Sequence, residues 1–183
     1  MTPSDSLHVV TGGPGSGKTT LIDALAASGV ATSPEVGRAI IREEMASGGT
    51  ALPWRDHRAF AEKMLVREVA AHRAALAMAT TVVLDRGVPD VIAFLRISGL
   101  AVPSPIDRAA RTCRYNPRVF IAPWWDAIFT TDAERKQTAD EARAAFAVMA
   151  ETYRDYGYHL VELPRASVAA RVAFVRDRLS DLR

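Results

Sequence analysis

The amino-acid sequence predicts an α/β fold in which helices cover both faces of a parallel sheet. Five short apolar runs recur along the chain, and amphipathic helical patterns separate them. Runs that are apolar throughout are typical of strands buried on both faces in a parallel sheet. A glycine-rich loop joins the first run to the first helical pattern. The length of 183 residues suits one domain, so we expect residues 1–183 to form a single domain.

The apolar runs give the expected strands in chain order. They cover residues 7–11, 29–33, 82–84, 118–122 and 159–163, the second being the weakest. Strands that alternate with helices imply right-handed crossovers, which place helices on both faces of the sheet.

The intervening segments carry helix signals. After the glycine loop, Leu21, Leu25 and Ser28 follow helical spacing, and Gly29 is typical of the residue that follows the end of a helix. A long amphipathic pattern covers residues 56–79. A further helix is expected to begin near Pro89. Thr138 and Glu141 form a capping box ahead of another apolar stripe, and Ser167 is placed to cap the last helix.

Composition restricts the possible settings and partners. Hydrophobic residues make up 49% of the chain, charged residues 24%, and the net charge is +2. A net charge this small does not by itself imply a nucleic-acid-binding surface. A single cysteine, Cys113, indicates a reducing compartment, and no apolar run reaches the length of a membrane span. We therefore expect a cytoplasmic protein with no membrane partner, and the oligomeric state stays open.

The glycine loop carries the most specific motif in the chain. Gly12, Gly17, Lys18 and Thr19 match the Walker A pattern G-x-x-x-x-G-K-[ST] between a predicted strand and a predicted helix. Glycines let successive backbone N–H groups turn inward around phosphate, Lys18 can reach the outer phosphates, and the Thr19 hydroxyl can ligate Mg²⁺. The predicted nucleotide-binding residues are Gly12, Gly13, Pro14, Gly15, Ser16, Gly17, Lys18, Thr19 and Thr20.

A second candidate element follows the run at residues 82–84. Here Asp85 reaches the carboxyl edge of the sheet, where it can hold Mg²⁺ or accept a proton. Arg86 can bind phosphate or neutralise developing charge. The alternative is that Asp85 caps the helix near Pro89 while Arg86 forms a surface ion pair.

Five motifs together resemble the P-loop kinase-like ATPase domain family, an AAA ATPase group related to ribosylnicotinamide, nucleoside and nucleotide kinases. They are the loop at 12–20, Glu35-Val36-Gly37-Arg38, Ala51-Leu52-Pro53-Trp54, Asp85-Arg86-Gly87 and Asp132-x-x-Arg135. The resemblance implies a three-layer P-loop NTPase fold, with a five-stranded parallel sheet of nucleoside/nucleotide-kinase type and a short helical lid at about 126–137.

The resemblance also implies roles for residues outside the glycine loop. Glu35 would bind the acceptor hydroxyl or act as its base, Arg38 would bind the substrate, and Arg135 would be the lid arginine. An exposed Glu35–Arg38 pair at a helix start and a solvated Arg135 are the alternatives. Trp54, Trp124 and Trp125 suggest base stacking, although packing in the core or at the lid base is the favoured interpretation.

The expected function is an ATP- and Mg²⁺-dependent phosphotransferase acting on a small acceptor, such as a nucleoside, a nucleotide or a related hydroxyl compound. The catalytic set would be Lys18, Glu35, Asp85, Arg86 and Arg135, with Thr19 and Asp85 at the metal. One alternative is an ATP-binding regulatory switch that hydrolyses ATP slowly and has no acceptor. Phosphorylation of nucleic-acid ends is a weaker third hypothesis, because the chain has no dense Lys/Arg run.

Overall fold

A computed structural model shows a five-stranded, all-parallel sheet with helices on both faces. The structure describes residues 3–125 and 139–180. The strands are β1 (Leu7–Gly12), β2 (Ala31–Ser33), β3 (Val82–Asp85), β4 (Arg118–Ala122) and β5 (His159–Glu162), in the spatial order β2-β3-β1-β4-β5. The helices are α1 (Lys18–Ala27), α2 (Val36–Ser47), α3 (His57–Ala77), α4 (Val88–Ile97), α5 (Ser104–Thr112), α6 (Ala139–Asp155) and α7 (Val168–Ser180).

The sheet order places β1 at the centre, flanked by β3 and β4. Val10 pairs with Asp85 on one side and with Phe120 on the other. The carboxyl ends of these three strands therefore meet at one edge of the sheet, directly beside the glycine loop. The predicted α/β class and parallel sheet are thus confirmed.

Both faces of the sheet are covered by an apolar layer. Val10 and Val83 face α1 and α7, where they pack in one cluster with Leu21, Leu25 and Val175. The opposite face packs against α3 and α6, and its cluster is Leu7, Val9, Ala75, Val82, Leu84, Tyr115, Val119, Tyr153 and Tyr158. A third cluster joins α2, α3, α4 and α5 beyond that face, and it forms one side of the cavity described below.

Some element ends differ from the sequence prediction. The second strand begins at Ala31 rather than residue 29, because the end of α1 holds the residues before it. Gly29 adopts φ +86°, and the Val30 N–H donates to the Leu25 carbonyl at 3.1 Å, which is a Schellman-type helix end. The helix predicted over 56–79 begins at His57 and is capped by Asp56, whose side chain accepts from the Ala59 N–H. As predicted, Ser167 caps α7, since its hydroxyl accepts from the Ala170 N–H.

Two predictions concern residues outside the described part of the chain. The proposed lid at 126–137, with Arg135, lies there, as does Thr138 of the predicted capping box. Within the described ranges, none of the helices is long and apolar enough to cross a membrane.

Candidate active site

The glycine loop connects β1 to α1 and is shaped by glycine at its first position. Gly12 adopts φ +139°, and a Cβ built there would lie 2.6 Å from the Ala122 carbonyl oxygen of β4. Gly15 and Gly17 also have positive φ, at +71° and +77°. The loop therefore needs glycine for backbone conformation at three positions and for close packing against the sheet at the first.

Alanine at Gly12 is expected to destabilise the protein more than alanine at Gly29. Both positions have positive φ, which costs a residue with a Cβ about 1–2 kcal/mol. No atom lies within 4 Å of a Cβ at Gly29, whereas at Gly12 the added carbon overlaps Ala122, which adds about 1–3 kcal/mol. Urea denaturation of the two variants measures this difference. Equal losses of stability would contradict the assigned clash.

Lys18 is the first residue of α1, and its side chain is buried against the glycine loop. Its Nζ donates to the carbonyls of Gly12 and Gly13, both at 2.8 Å, and to the Ser16 hydroxyl at 3.3 Å. Burial and then the Arg86 charge lower the pKa of the ammonium group to about 8. A polyanion bound at the loop would stabilise the charged form of Lys18, because the ammonium group would then be paired with negative charge as well as with carbonyl dipoles.

Asp85 meets the requirement for a metal-binding carboxylate. The residue is only 4% exposed, and its Oδ1 accepts no hydrogen bond from any described residue. Burial raises the pKa of Asp85 to about 6, although the nearby Lys18 charge opposes the shift. Mg²⁺ takes one or two protein oxygens and completes its shell with phosphate and water. Asp85 and the cavity-lining Thr19 hydroxyl fit such a site.

Arg86 is buried and links the glycine loop to Glu35. Its Nε donates to Glu35 Oε1 at 3.0 Å, and one terminal nitrogen donates to the Gly12 carbonyl at 3.3 Å and to Asp90 Oδ1 at 3.1 Å. Burial opposes the charge of Arg86, but Glu35, Asp90 and Asp85 together raise its pKa. The alternative of a surface ion pair for Arg86 is therefore wrong.

The backbone at Arg86 is strained. The residue adopts φ +78°, in the left-handed region that non-glycine residues rarely occupy. Its N–H donates to the Val10 carbonyl at 3.0 Å, which fixes this conformation against β1. In this conformation the guanidinium donates to the Gly12 carbonyl at the start of the glycine loop.

Glu35 lies between two arginines at the start of α2. Its Oε1 accepts from Arg86 and its Oε2 pairs with Arg38 Nε at 3.2 Å. Burial alone would raise the pKa of Glu35, but Arg86 and then Lys18 lower it to about 2. The alternative of a Glu35–Arg38 pair at the helix start is thus present as an ion pair, but Glu35 is largely buried and also pairs with Arg86, so the pair is not an ordinary exposed one.

Two polar residues at this site were missed by sequence reasoning. Asp90 is 2% exposed and accepts hydrogen bonds from Thr11, Tyr153, Arg86 and the Gly87 N–H. Its place three residues after Gly87 at a helix start was a usable signal, because an acid there can bond the free N–H groups. The helix is therefore capped through Asp90, and the alternative that Asp85 caps it is wrong.

Arg171 of α7 is the second missed residue. One of its terminal nitrogens donates to the Ser16 carbonyl at 3.1 Å, and its buried Nε has no hydrogen-bond partner among the described residues. The guanidinium therefore borders the glycine loop at Ser16, whereas Arg86 contacts it at Gly12. No local pattern predicts this contact, since the two residues lie 155 positions apart.

A cavity of about 1170 Å³ is lined by Lys18, Thr19, Glu35, Arg86, Asp90 and Arg171, whereas Asp85 is not among its lining residues. One part lies along residues 14–20 and the segment 166–168, and Arg171 borders it. The other part, here called the apolar arm, extends between α2, α3 and α4 beyond Glu35 and Arg86. Its lining is Ile41, Met45, Trp54, His57, Phe60, Met64, Phe94 and Ile97.

The three tryptophans occupy different settings. Trp54 lines the apolar arm and is 55% exposed, so packing in the core is wrong for this residue, whereas packing at the lid base involves residues outside the described part of the chain. Trp125 also lines the cavity. The Trp124 ring lies 5.5 Å from the Arg143 guanidinium, and its carbonyl accepts from Arg165.

Comparison with known structures agrees with the fold. A thymidylate kinase from Ehrlichia chaffeensis matches with a TM-score of 0.63 and 17% identity, covering 97% of this chain and 100% of that one. A deoxyadenosine kinase from M. mycoides gives 0.66 and 12%, covering 96% and 100%. A NadR protein in complex with NR gives 0.70 and 18%, covering 97% of this chain and 50% of that one. These likenesses show a shared P-loop kinase-type fold.

The family assignment comes from the sequence. No curated protein sequence matches the chain. A family model described as an AAA domain matches residues 7–171, a range that begins with β1 and includes the glycine loop, Glu35, Asp85 and Arg86. Because this match covers most of its length, the chain belongs to the AAA domain family.

Proposed function

We propose that this protein is an ATP- and Mg²⁺-dependent phosphotransferase that acts on a small hydroxyl compound, in the class of nucleosides, nucleotides and related acceptors. The observation that carries the proposal is the continuous cavity that runs from the glycine loop past Arg86 and Glu35 into the apolar arm. A triphosphate site alone would serve a switch, but a second arm opening beside the loop provides space for an acceptor. The fold shared with several kinases also supports a phosphotransferase function.

The proposed nucleotide site uses the glycine loop and the residues around it. Inward N–H groups from residues 12–20 would bind the β- and γ-phosphates, and Lys18 would neutralise their charge. Arg171 would add a second cation from α7, since the residue lines the cavity and its Nε has no hydrogen-bond partner among the described residues. Mg²⁺, held by Asp85 and Thr19, would supply charge neutralisation and orientation of the phosphates.

In the proposed reaction the acceptor oxygen bonds to the γ-phosphorus, and the bond between that phosphorus and the β–γ bridging oxygen breaks. ADP leaves, and the hydroxyl proton passes to Glu35 or to solvent. With a pKa of about 2, Glu35 is a weak base. Its main role would be to orient the hydroxyl by accepting its hydrogen bond, in keeping with a reaction dominated by positioning and charge.

Arg86 and Arg38 complete the proposed site. Arg86 lies at the junction of the loop and the apolar arm, where a guanidinium can neutralise charge on the moving phosphoryl group. Arg38 holds the other oxygen of Glu35 and borders the acceptor space. Arg135, outside the described residues, stays the proposed lid arginine.

The proposal is tested by ADP release from purified protein with MgATP and a panel of nucleosides, nucleotides, sugars and aromatic alcohols. At least one acceptor is expected to raise ADP release well above the rate without acceptor and to yield a phosphorylated product by mass spectrometry. ATP binding with no acceptor-dependent product from the whole panel would instead support the regulatory switch. Product only with DNA or RNA ends would support the nucleic-acid alternative.

Glutamine at Glu35 is expected to lower acceptor phosphorylation by about a hundredfold while leaving ATP affinity nearly unchanged, because an amide pairs less well with both arginines and so positions the acceptor hydroxyl less well. Gln keeps the side-chain length but removes the charge that pairs with Arg86 and Arg38. Steady-state kinetics and calorimetry with an ATP analogue separate the two effects. Glu43→Gln is the matched control, because Glu43 lies on the same helix at the surface and pairs with Arg67. Unchanged turnover in Glu35→Gln would refute the assigned role.

A further inference from the structure

The lining of the apolar arm changes along its length from charged to apolar. The charged residues of the cavity lie either at the glycine loop or in the ion-pair network of Glu35 and Arg86; they are Lys18, Glu35, Arg38, Arg86, Asp90 and Arg171. Beyond them, the described lining of the arm consists of aliphatic, sulfur-containing and aromatic side chains, with the His57 ring and Ser98 as its polar groups. An acceptor that enters hydroxyl first would therefore meet charge at its reacting end and apolar surface around its body.

The arm is deep on one side and open at its mouth. Phe60 and Met64 form a buried floor, 4% and 5% exposed. Phe94 packs edge-on against Phe60 with ring centroids 5.2 Å apart, and its ring stacks with His57 at 5.9 Å. At the mouth, Met45, Trp54 and Ile97 are 62%, 55% and 41% exposed. Single apolar side chains are common on protein surfaces, but three large ones exposed at the rim of one cavity indicate a ligand-binding surface.

Amide side chains, which can read a nucleobase by paired hydrogen bonds, are nearly absent from this chain, and the cavity arginines and carboxylates that could also do so lie at its charged end. Asn116 and Gln137 are its only amide residues. Asn116 donates to the Asp5 carbonyl at the opposite end of β4, and Gln137 lies outside the described residues. A base or sugar buried in the apolar arm would leave several polar groups without protein partners, at a cost of about 1–3 kcal/mol each.

We propose that the acceptor is an uncharged alcohol with a flat, largely apolar aromatic body, which the apolar arm holds between Trp54, Phe60 and Phe94 while its hydroxyl reaches Glu35. This inference rests on the proposed phosphotransferase function and narrows its acceptor. The reaction is the transfer described above, so ATP supplies the phosphoryl group and no further reactant is needed. Recognition comes from burial of ring surface, since aromatic pairs add about 0.5–1.5 kcal/mol beyond the buried area.

Three probes with a primary hydroxyl test the inference: 2-(2-naphthyl)ethanol, thymidine and glucose. With MgATP, the naphthyl alcohol is expected to show a kcat/KM at least about tenfold above the other two, with its phosphate ester seen by mass spectrometry. With a non-hydrolysable ATP analogue and Mg²⁺, the same alcohol is expected to raise the melting temperature, because it binds only the folded protein.

Substitutions at the exposed mouth test whether the apolar arm causes the preference for an aromatic acceptor. Trp54→Ala is expected to raise the KM for the naphthyl alcohol about tenfold with little change in kcat or in the KM for ATP. Trp54→Phe should retain most of the affinity. Met78→Ala is the matched control, because Met78 is 52% exposed but does not line the cavity. Trp54 and Met78 are both half exposed, so each variant is expected to fold.

The outcomes separate this inference from the proposed function. Faster transfer to thymidine or glucose would overturn the aromatic acceptor and leave the phosphotransferase standing. Preferred transfer to the naphthyl alcohol with no effect of Trp54→Ala would overturn the assigned arm. ATP binding without transfer to any probe or to any member of the wider panel would remove the proposed function, and this inference with it.

Discussion

Asparagine at Asp85 is expected to abolish phosphoryl transfer and, at the same time, to stabilise the nucleotide-free protein. The carboxylate is buried with one oxygen lacking a hydrogen-bond partner among the described residues, and burial raises its pKa to about 6. Asn keeps the shape but carries no charge, so it removes both the metal ligand and the cost of a buried anion. We expect kcat/KM to fall about a thousandfold, which corresponds to about 4 kcal/mol of transition-state stabilisation.

The stabilising effect of Asp85→Asn should depend on pH. The folded pKa of Asp85 is raised above its unfolded value of 3.8, so the wild-type protein loses stability relative to the variant as pH rises through this window. The difference should be near zero below about pH 4 and reach about 2–3 kcal/mol above pH 6. Denaturant unfolding without nucleotide at pH 4 and pH 7.5 measures it.

Asp177→Asn is the control for this prediction. Asp177 lies at the surface of α7 and is 76% exposed, so the substitution changes the net charge equally without affecting a buried site. It should leave both activity and stability nearly unchanged. A variant at Asp85 that is active, or that is destabilised at every pH, would contradict the proposed metal-binding role.

Alanine at Arg86 is expected to have the largest combined effect on stability and activity. The guanidinium is buried and bonds Glu35, Asp90 and the Gly12 carbonyl. Removing one partner of such a network leaves buried carboxylates without their counter-charge, which costs about 3–5 kcal/mol. Loss of the cation beside the phosphates should lower kcat about a thousandfold in addition.

Glycine at the same position distinguishes the backbone contribution from that of the side chain. Arg86 adopts φ +78°, which glycine tolerates and alanine does not. Arg86→Gly should therefore be more stable than Arg86→Ala by about 1 kcal/mol while being equally inactive. Arg111→Ala, which breaks an exposed ion pair with Asp107, should cost less than about 1 kcal/mol. An active Arg86→Ala variant would contradict the role of Arg86 in transfer.

The sequence was most informative where a local pattern carries its own physical cause. Five apolar runs predicted the five strands. The reason holds best for β1, β3 and β4, which are buried almost throughout, whereas the edge strands β2 and β5 are partly exposed. The glycine loop was also identifiable, since Gly12 needs both a positive φ and a close approach to Ala122. The position of Asp85 followed from its place at the end of a buried strand.

Contacts between distant segments were not accessible in the same way. Asp90 joins Thr11 across 79 positions and Tyr153 across 63, and Arg171 meets Ser16 across 155. The apolar arm forms only when α2, α3 and α4 pack together. In the sequence, its lining residues therefore belong to separate amphipathic helix patterns, with nothing to show that they share one cavity. Trp54 shows the same limit, because its residue type did not separate packing in the core or at the lid base from its position at the rim of the cavity.

Isothermal titration of the wild-type protein with ATP, ADP and adenosine, each with and without Mg²⁺, tests the central claim most directly. If the glycine loop and Lys18 bind a polyphosphate beside a magnesium-holding Asp85, affinity should rise at least about a hundredfold from adenosine to ATP, and removing Mg²⁺ should weaken ATP binding. Equal affinity for adenosine and ATP, or no heat with any of the three compounds, would contradict it.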